Sequence, residues 1–148
     1  MIRKTLALAV VASVLTACGA TAPSKKAGLA PEEAIAQRAK ARWDAIIAKE
    51  YEKAYSFMTA GARATTPFDN YANRLAMSAV QWKNAEVEQV TCEEADVCVA
   101  RVRIESKIRS PSAGGTGVGM LTSNRPVLED WLRGSDGQWY FLPKTTGR

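Results

Sequence analysis

The stretch VCVARVRIESKIR, residues 97–109, alternates apolar and charged side chains with a period of two. This alternation predicts a β-strand with one face in a core and one in water, which is typical of an antiparallel sheet. The basic outer row indicates either a site for an acidic partner or lipid headgroups, or a solvated strand face that discourages edge pairing. The predicted outer row consists of Arg101, Arg103, Glu105, Lys107 and Arg109, and the inner row of Cys98, Ala100, Val102, Ile104 and Ile108.

Residues 85–92 supply the predicted partner strand. Val87 and Val90 are out of phase, because an odd number of positions separates them. An apolar face survives such a phase change only if one residue bulges out of the strand. We therefore predict a β-bulge near Glu88 or Gln89, which also bends the sheet.

Cys92 and Cys98 bracket the predicted tip of this hairpin. Opposite residues of an antiparallel pair lie about 4.5–5.5 Å apart, which suits a disulfide, and an exported domain is oxidised. The alternative is a metal or redox site. It lacks the usual ligands, because the chain contains no His and this cysteine spacing is not Cys-x-x-Cys. The sequence therefore predicts a structural disulfide and no metal site.

Two further strands are expected downstream, from about Met120 to Arg133 and over residues 138–142. Pro126 marks an edge or a kink of the first of these strands. The Gly-rich connection at residues 111–119 precedes a strand and lacks the Lys-Ser/Thr ending of a phosphate loop. It therefore predicts a hairpin loop.

The turn between these two strands decides which side chains face the core. Its sequence, GSDG at residues 134–137, is typical of a hairpin turn. A four-residue loop places Leu132 opposite Trp139 and Asp130 opposite Phe141. In that register the carboxylate of Asp130 faces the core.

Upstream of the predicted sheet the apolar spacing is that of helices. Residues 31–47 form an amphipathic pattern that starts at Pro31 and two glutamates, which favour the first turn of a helix. The predicted buried face consists of Ile35, Ala39, Trp43, Ile46 and Ile47, and the charged residues Arg38, Lys40, Arg42, Asp44 and Lys49 are assigned to the surface.

Two shorter helices follow in the prediction. The first begins at Tyr51 and stops at Gly61, and the second begins at Pro67. One long and two short helices before about four antiparallel strands define an α+β fold, with the helices packed on a curved sheet. A chain of 148 residues with 47% hydrophobic content is long enough for one such domain, at residues 31–144.

The N-terminus has the pattern of a signal peptide, residues 1–17, with two basic residues before an apolar run too short to cross a bilayer. It ends in Leu15-Thr16-Ala17-Cys18, which resembles the bacterial lipobox. The resemblance implies lipid attachment at Cys18, with residues 18–30 as a flexible tether. The alternative is an ordinary secretory signal. Gly19 after the cysteine implies, by resemblance, the outer membrane and a protein facing the periplasm.

Several elements together resemble the nuclear-transport-factor-2-like, or cystatin-like, superfamily over residues 31–143. The resemblance implies a sheet that wraps the long helix as a cone with a pocket at its wide end. Four strands are expected here, where many members have five or six. The residues that carry it are Trp43-Asp44-Ala45-Ile46, Glu50-Tyr51, Ala54-Tyr55-Ser56-Phe57-Met58, Trp131 and Trp139-Tyr140.

The resemblance also names candidate site residues. Some members use a carboxylate base and a tyrosine inside the cone, which implies Asp130 as base and Tyr55 or Tyr71 as proton donor. The alternative is a rim carboxylate paired with an arginine. Trp43 and Trp139 complete the set of pocket candidates, although aromatic residues at these spacings are typical of a core.

The expected function is a lipid-anchored, non-enzymatic binding module for a protein partner or a small apolar ligand. The absence of His excludes Ser-His-Asp triads and His-bearing zinc sites. No cofactor and no nucleic acid are expected, and a homodimer through the sheet remains open. The alternatives are a ketosteroid-isomerase-like enzyme and a structural component of an envelope assembly or secretion machine.

Overall fold

Four antiparallel strands form one sheet in the order β1-β2-β3-β4, and the long helix α1 packs against it. The computed structural model describes residues 28–111 and 118–144. The helices are α1 (Pro31–Ile47), α2 (Tyr51–Ser56), α3 (Ala60–Thr65) and α4 (Phe68–Ala76), and the strands are β1 (Val80–Glu94), β2 (Val97–Pro111), β3 (Val118–Arg133) and β4 (Trp139–Leu142). The predicted α+β architecture and the expected number of strands are confirmed.

The β1–β2 hairpin has the features expected from its sequence. A register shift between Val87 and Gln89 confirms the predicted bulge, and two more shifts occur elsewhere in β1. Cys92 lies directly opposite Cys98, and the two form a disulfide with their Cα atoms 4.1 Å apart. The predicted disulfide is therefore confirmed, and Cys98 places it on the buried face of the sheet.

The long helix spans the predicted residues, but the segment after it differs from the prediction. Gly61, expected to stop a helix, lies inside the additional short helix α3. The hydroxyl of Thr59 accepts a hydrogen bond from the N–H of Ala62 at 3.2 Å and so caps α3. Helix α2 therefore ends before Thr59, and between residues 28 and 80 four helices precede the sheet.

The register between β3 and β4 differs by one residue from the prediction. Leu132 pairs with Tyr140 and Asp130 with Leu142, because five residues rather than four separate the strands. Gly137 adopts a left-handed conformation with φ of 79°, and the N–H of Gly134 donates to the carbonyl of Gln138 at 2.7 Å. A one-residue slip exchanges the two faces of a strand, so the expectation that Asp130 faces the core is wrong.

The core lies between α1 and the inner face of the sheet. Ile35 and Ala39 of α1 are fully buried, as are Ala100 and Val102 of β2. Trp131 of β3 is also fully buried and is the largest side chain with no exposure. The space enclosed by α1 and the inner face of the sheet is called the cone interior below.

Three predictions lie wholly or mostly outside the described residues: the lipid attachment site Cys18 with its signal peptide, the tether at residues 18–30, and the Gly-rich loop at residues 111–119. Within residues 28–111 and 118–144, no helix has the length and apolarity needed to cross a membrane.

Candidate functional site

The cone interior contains an ion pair between Arg42 and Glu129. Arg42 Nη1 lies 2.7 Å from Glu129 Oε1, and both side chains are less than 10% exposed. The same oxygen accepts a hydrogen bond from Trp43 Nε1 at 2.8 Å. One carboxylate oxygen thus receives two donors from adjacent residues of α1.

The local structure explains how these charges reach the core. Arg42 lies on α1 three residues after Ala39, on the helix face that packs against the sheet. Its guanidinium stacks on Phe141 of β4, with the central carbon 3.7 Å from the ring centroid. Glu129 and Trp131 are two residues apart on β3, so both side chains point to the same face of the sheet, which is the inner face. The assignment of Arg42 to the surface is therefore wrong.

Four buried polar atoms in the cone interior have no hydrogen-bond partner among the described residues. They lie on side chains that surround one ion pair, so this is a single polar cluster in an otherwise apolar core. Such atoms make a buried cluster costly unless water or a ligand supplies the missing bond. The atoms are Arg42 Nε, Tyr71 Oη, Glu129 Oε2 and Trp131 Nε1.

Burial shifts the protonation of this cluster. It raises the pKa of the Glu129 carboxyl, although the nearby Arg42 and the indole of Trp43 oppose the shift. Burial also raises the pKa of the Tyr71 phenol, again against the effect of Arg42. Both shifts thus have the same direction and the same leading cause, which is burial.

The structure separates the candidate residues that the sequence grouped together. Trp43, Tyr71 and Trp139 are buried in the core. The hydroxyl of Tyr55 lies within hydrogen-bond distance of two main-chain carbonyl oxygens, that of Arg63 at 3.1 Å and that of Thr66 at 2.8 Å. It therefore holds the turn after α3.

Asp130 lies on the opposite side of the sheet from this cluster. It is half-buried, and its carboxylate is 4.0 Å from Lys144 Nζ. In the antiparallel ladder it sits between Val99 of β2 and Leu142 of β4. Asp130 and Tyr71 therefore do not converge on one site.

Sequence reasoning missed Arg42 and Glu129 as the polar residues of the interior. A signal for Arg42 was present, since its position matches the helical spacing of Ile35, Ala39 and Ile46. Glu129 is recognisable only once the register of β3 is known.

An apolar surface surrounds Asp130 on the outer face of the sheet. Val97 pairs with Leu132, and Val99 with Asp130, while Leu142 flanks Asp130 on the other side. Leu142 is 36% exposed and the other three apolar residues are half-buried. We call Val97, Val99, Leu132 and Leu142 around Asp130 the outer patch.

The predicted basic row on β2 lies on this same outer face, beside the outer patch. Arg101 Nε is 2.9 Å from Glu88, and Arg103 also pairs with Glu88. Desolvation would raise the pKa of Glu88, but hydrogen bonds from both arginines outweigh it and lower the pKa. The bulged residue Glu88 thus neutralises much of the middle of the row.

Surface clefts of the described residues lie away from the polar cluster. A cleft of about 410 Å³ at the end of α1 is lined by Ile47, Leu75 and Trp82 among others. Another of about 440 Å³ lies near the β3–β4 turn, with Arg63 and Arg133 in its lining. The described residues contain no group of three or more acidic or cysteine side chains arranged to hold a metal ion.

No protein-family model matches the chain, and no curated protein is similar to it in sequence. Among solved structures, a ketosteroid isomerase-like protein from Erwinia carotovora atroseptica superimposes with a TM-score of 0.55 at 16% identity, covering 74% of this chain and 88% of that one. A SEC-C motif-containing protein from Psychrobacter arcticus gives 0.49 at 17% identity, covering 72% of this chain and 57% of that one. The similarity to the Erwinia protein is one of fold alone, and the fold is the expected α+β arrangement of helices packed on a four-stranded antiparallel sheet.

Proposed function

We propose that this protein is a lipid-anchored envelope protein that acts by binding, without catalysis, and that the outer patch is the surface that binds a protein partner. The observation that carries the proposal is the occupied cone interior. The space where members of this fold would hold a small ligand contains the Arg42–Glu129 ion pair, Trp43, Tyr71 and Trp131, all of them buried.

An occupied interior weighs against both a small apolar ligand and an isomerase-like reaction in the cone. A ligand would have to displace a guanidinium that is stacked on Phe141 and bound to Glu129. A base in the interior would have to be Glu129, whose Oε1 is held by Arg42 and Trp43. Asp130, the base expected from the sequence, lies outside.

The outer patch is an apolar surface with one charge at its centre. Its apolar residues come from three neighbouring strands, and their rigid spacing is set by the ladder. At its centre Asp130 has a single cation nearby among the described residues, Lys144 at 4.0 Å. A partner segment with a Lys or Arg between two apolar side chains fits this arrangement.

The proposed location follows from the N-terminal sequence and is supported by the disulfide. The lipobox-like Leu15-Thr16-Ala17-Cys18 would anchor the chain, and residues 19–30 would hold the domain above the membrane. The Cys92–Cys98 disulfide is typical of oxidising compartments such as the periplasm. An outer-membrane protein facing the periplasm, including one that belongs to an envelope assembly, fits these features.

The binding surface is tested by photo-crosslinking in intact envelopes. A photoreactive residue at Leu142 should give one discrete protein adduct, and Asp130→Lys in the same chain should abolish it. A photoreactive residue at Met77, which is 85% exposed on the helical side, is the matched control. Equal adducts at both positions, or none at Leu142, would contradict the outer patch as the binding surface.

The anchor is tested by Cys18→Ser in the full chain. We expect the variant to lose membrane fractionation and the precursor to remain unprocessed, with the domain still folded. Unchanged fractionation and unchanged processing would show that the lipobox interpretation is wrong.

A further inference from the structure

The first half of β3 has an open edge. β4 pairs with β3 only from Asp130 to Arg133, although β3 begins at Val118. Among the described residues, no strand pairs with residues 119–129 on that side. We call residues 119–129 the open edge.

The hydrogen bonds of neighbouring residues indicate which backbone N–H and C=O groups of the open edge are unpaired. The N–H of Phe141 donates to Phe57 at 2.7 Å and its carbonyl accepts from Thr59 at 2.9 Å, so Phe141 bonds away from β3. By alternation, Asp130 and Leu132 direct their backbone groups toward β4. The β2–β3 register is continuous, so the even-numbered residues of the open edge direct theirs to the same unpaired side.

Pro126 is consistent with this alternation. It is an even-numbered residue, so the N–H that it lacks belongs on the open side and not in the ladder with β2. The N–H of Arg133, an odd-numbered residue, donates to the carbonyl of Asp96 at the β2 side, as the alternation requires.

The opposite edge of the sheet is protected in a way that the open edge is not. β1 has three register shifts and carries several charged residues, which discourage pairing with another strand. Residues 119–129 have a continuous register, and Arg125 and Glu129 are their charged residues, of which Glu129 is buried. The open edge therefore has a regular backbone, and Pro126 is the position on its open side that lacks an N–H.

The exposed apolar residues of the open edge are arranged symmetrically about Asn124. Met120 and Leu128 lie four residues to either side of it on the outer face and are 49% and 51% exposed. Leu121 and Val127 lie three residues to either side on the inner face and are 59% and 37% exposed. The free stretch itself, between the start of β3 and the first residue paired with β4, is centred on the same residue.

We propose that the open edge binds the open edge of a second copy of this chain, in an antiparallel pairing centred on Asn124. Met120 then lies opposite Leu128 of the second copy, and Leu121 opposite its Val127, so apolar residues meet on both faces. Such a two-fold contact is self-complementary, which is what a symmetric dimer requires. The pairing joins two four-stranded sheets into one continuous sheet.

The ends of the contact fit this register. Val118 of one copy would come opposite Asp130 of the other, where β4 already occupies the edge. The pairing therefore stops where the free backbone stops. In the middle, Asn124 pairs with Asn124 of the second copy. Thr122 donates its N–H to the carbonyl of Pro126 of the second copy, and the reciprocal bond to the Thr122 carbonyl is missing because proline has no N–H.

The register is tested by cysteine cross-linking of the full chain in envelopes. Asn124→Cys should give a cross-linked dimer with a short thiol-specific reagent, because the two residues 124 lie opposite each other. Thr122→Cys is the matched control on the same face, since its two copies would be about 14 Å apart. Stronger cross-linking at residue 122, or a product of Asn124→Cys that contains a different protein, would overturn the proposal.

The contact itself is tested by the mass of the purified full chain in detergent, measured by sedimentation. We expect a dimer, and at least a tenfold higher dissociation constant for Leu121→Lys, which places a cation against Val127 of the second copy. Leu142→Lys, a similar change outside the open edge, should remain a dimer. A monomeric wild-type chain, or a dimer unaffected by Leu121→Lys, would overturn the proposal. The outer patch is separate, so partner cross-linking at Leu142 should persist in the Leu121→Lys variant.

Discussion

The two halves of β3 belong to one strand and have opposite environments. At the start of the second half, Glu129 and Trp131 are 3% and 0% exposed on the inner face beneath α1, and β4 pairs with β3 from the next residue, Asp130, onward. In the first half, Leu121 and Leu128 are 59% and 51% exposed. A glutamate is thus buried where α1 and the adjoining β4 cover the inner face, and leucines are exposed further from β4, where β2 is the one paired neighbour among the described residues.

The comparison shows that neighbours, and not the hydropathy of each residue, decide burial along this strand. Residue preferences alone predict the reverse order for Glu129 and Leu128. The buried carboxylate is tolerated because Arg42 and Trp43 bond to it. The exposed leucines are explained if a second copy covers them.

The largest expected effect is the loss of the buried charge pair in the second half. Glu129→Ala should lower the free energy of unfolding by about 3–5 kcal/mol, because Arg42 is left buried without its partner. Asp130→Ala, on the outer face one residue away, should change it by less than about 0.5 kcal/mol. Urea unfolding measures both.

The double variant Arg42→Met with Glu129→Leu tests whether the stability lost in Glu129→Ala comes from the charge of Arg42 that is left buried without a partner. It should recover most of the stability lost in Glu129→Ala, since no isolated charge remains. If Glu129→Ala costs no more than Asp130→Ala, the second half does not depend on the buried pair.

Proline substitutions in the first half test which side of β3 is open. Ser123→Pro removes an N–H that bonds to β2 and should cost about 3 kcal/mol or more, whereas Thr122→Pro removes one on the open side and should cost less than about 1 kcal/mol. Urea unfolding in the Leu121→Lys background keeps the proposed dimer out of the comparison. Equal losses would contradict the assigned alternation.

The disulfide should stabilise the second half more than the first. Cys98 lies opposite Trp131. Reduction of the Cys92–Cys98 disulfide, which closes a short loop, should lower the free energy of unfolding by about 2–2.5 kcal/mol. Hydrogen exchange after reduction should show lost protection near Trp131 and little change near Thr122. Loss of protection confined to the first half would contradict this expectation.

The smallest effect is a pH dependence. Burial raises the pKa of Glu129 in the folded state above its unfolded value of about 4.3, so the folded protein binds this proton more tightly. This tighter proton binding contributes fully to folding stability below about pH 4.3, and the contribution is lost as pH rises through the folded-state pKa of Glu129. The stability of the wild type relative to Glu129→Gln, measured by urea unfolding, should therefore fall as pH rises above about 4.3. A difference that is flat or rises with pH would contradict the raised pKa.

Much of the fold was predictable because it depends on local periodicity. The span of α1, the alternation of β2, the bulge beside Glu88 and the pairing of Cys92 with Cys98 all follow from residues close in sequence. The polar cluster was not predictable, because Arg42 and Glu129 are 87 residues apart and meet only when α1 lies on the sheet.

The sequence by itself determined the order of helices and strands, since apolar spacing and turn residues act over a few positions. The tertiary structure decided which face of β3 is buried, since the five-residue β3–β4 loop places Trp131 and not Asp130 opposite Phe141. It also decided where β4 ends, and so where β3 is left open. A strand's own sequence specifies its alternation, but only its neighbours specify which of its two faces and two edges are covered.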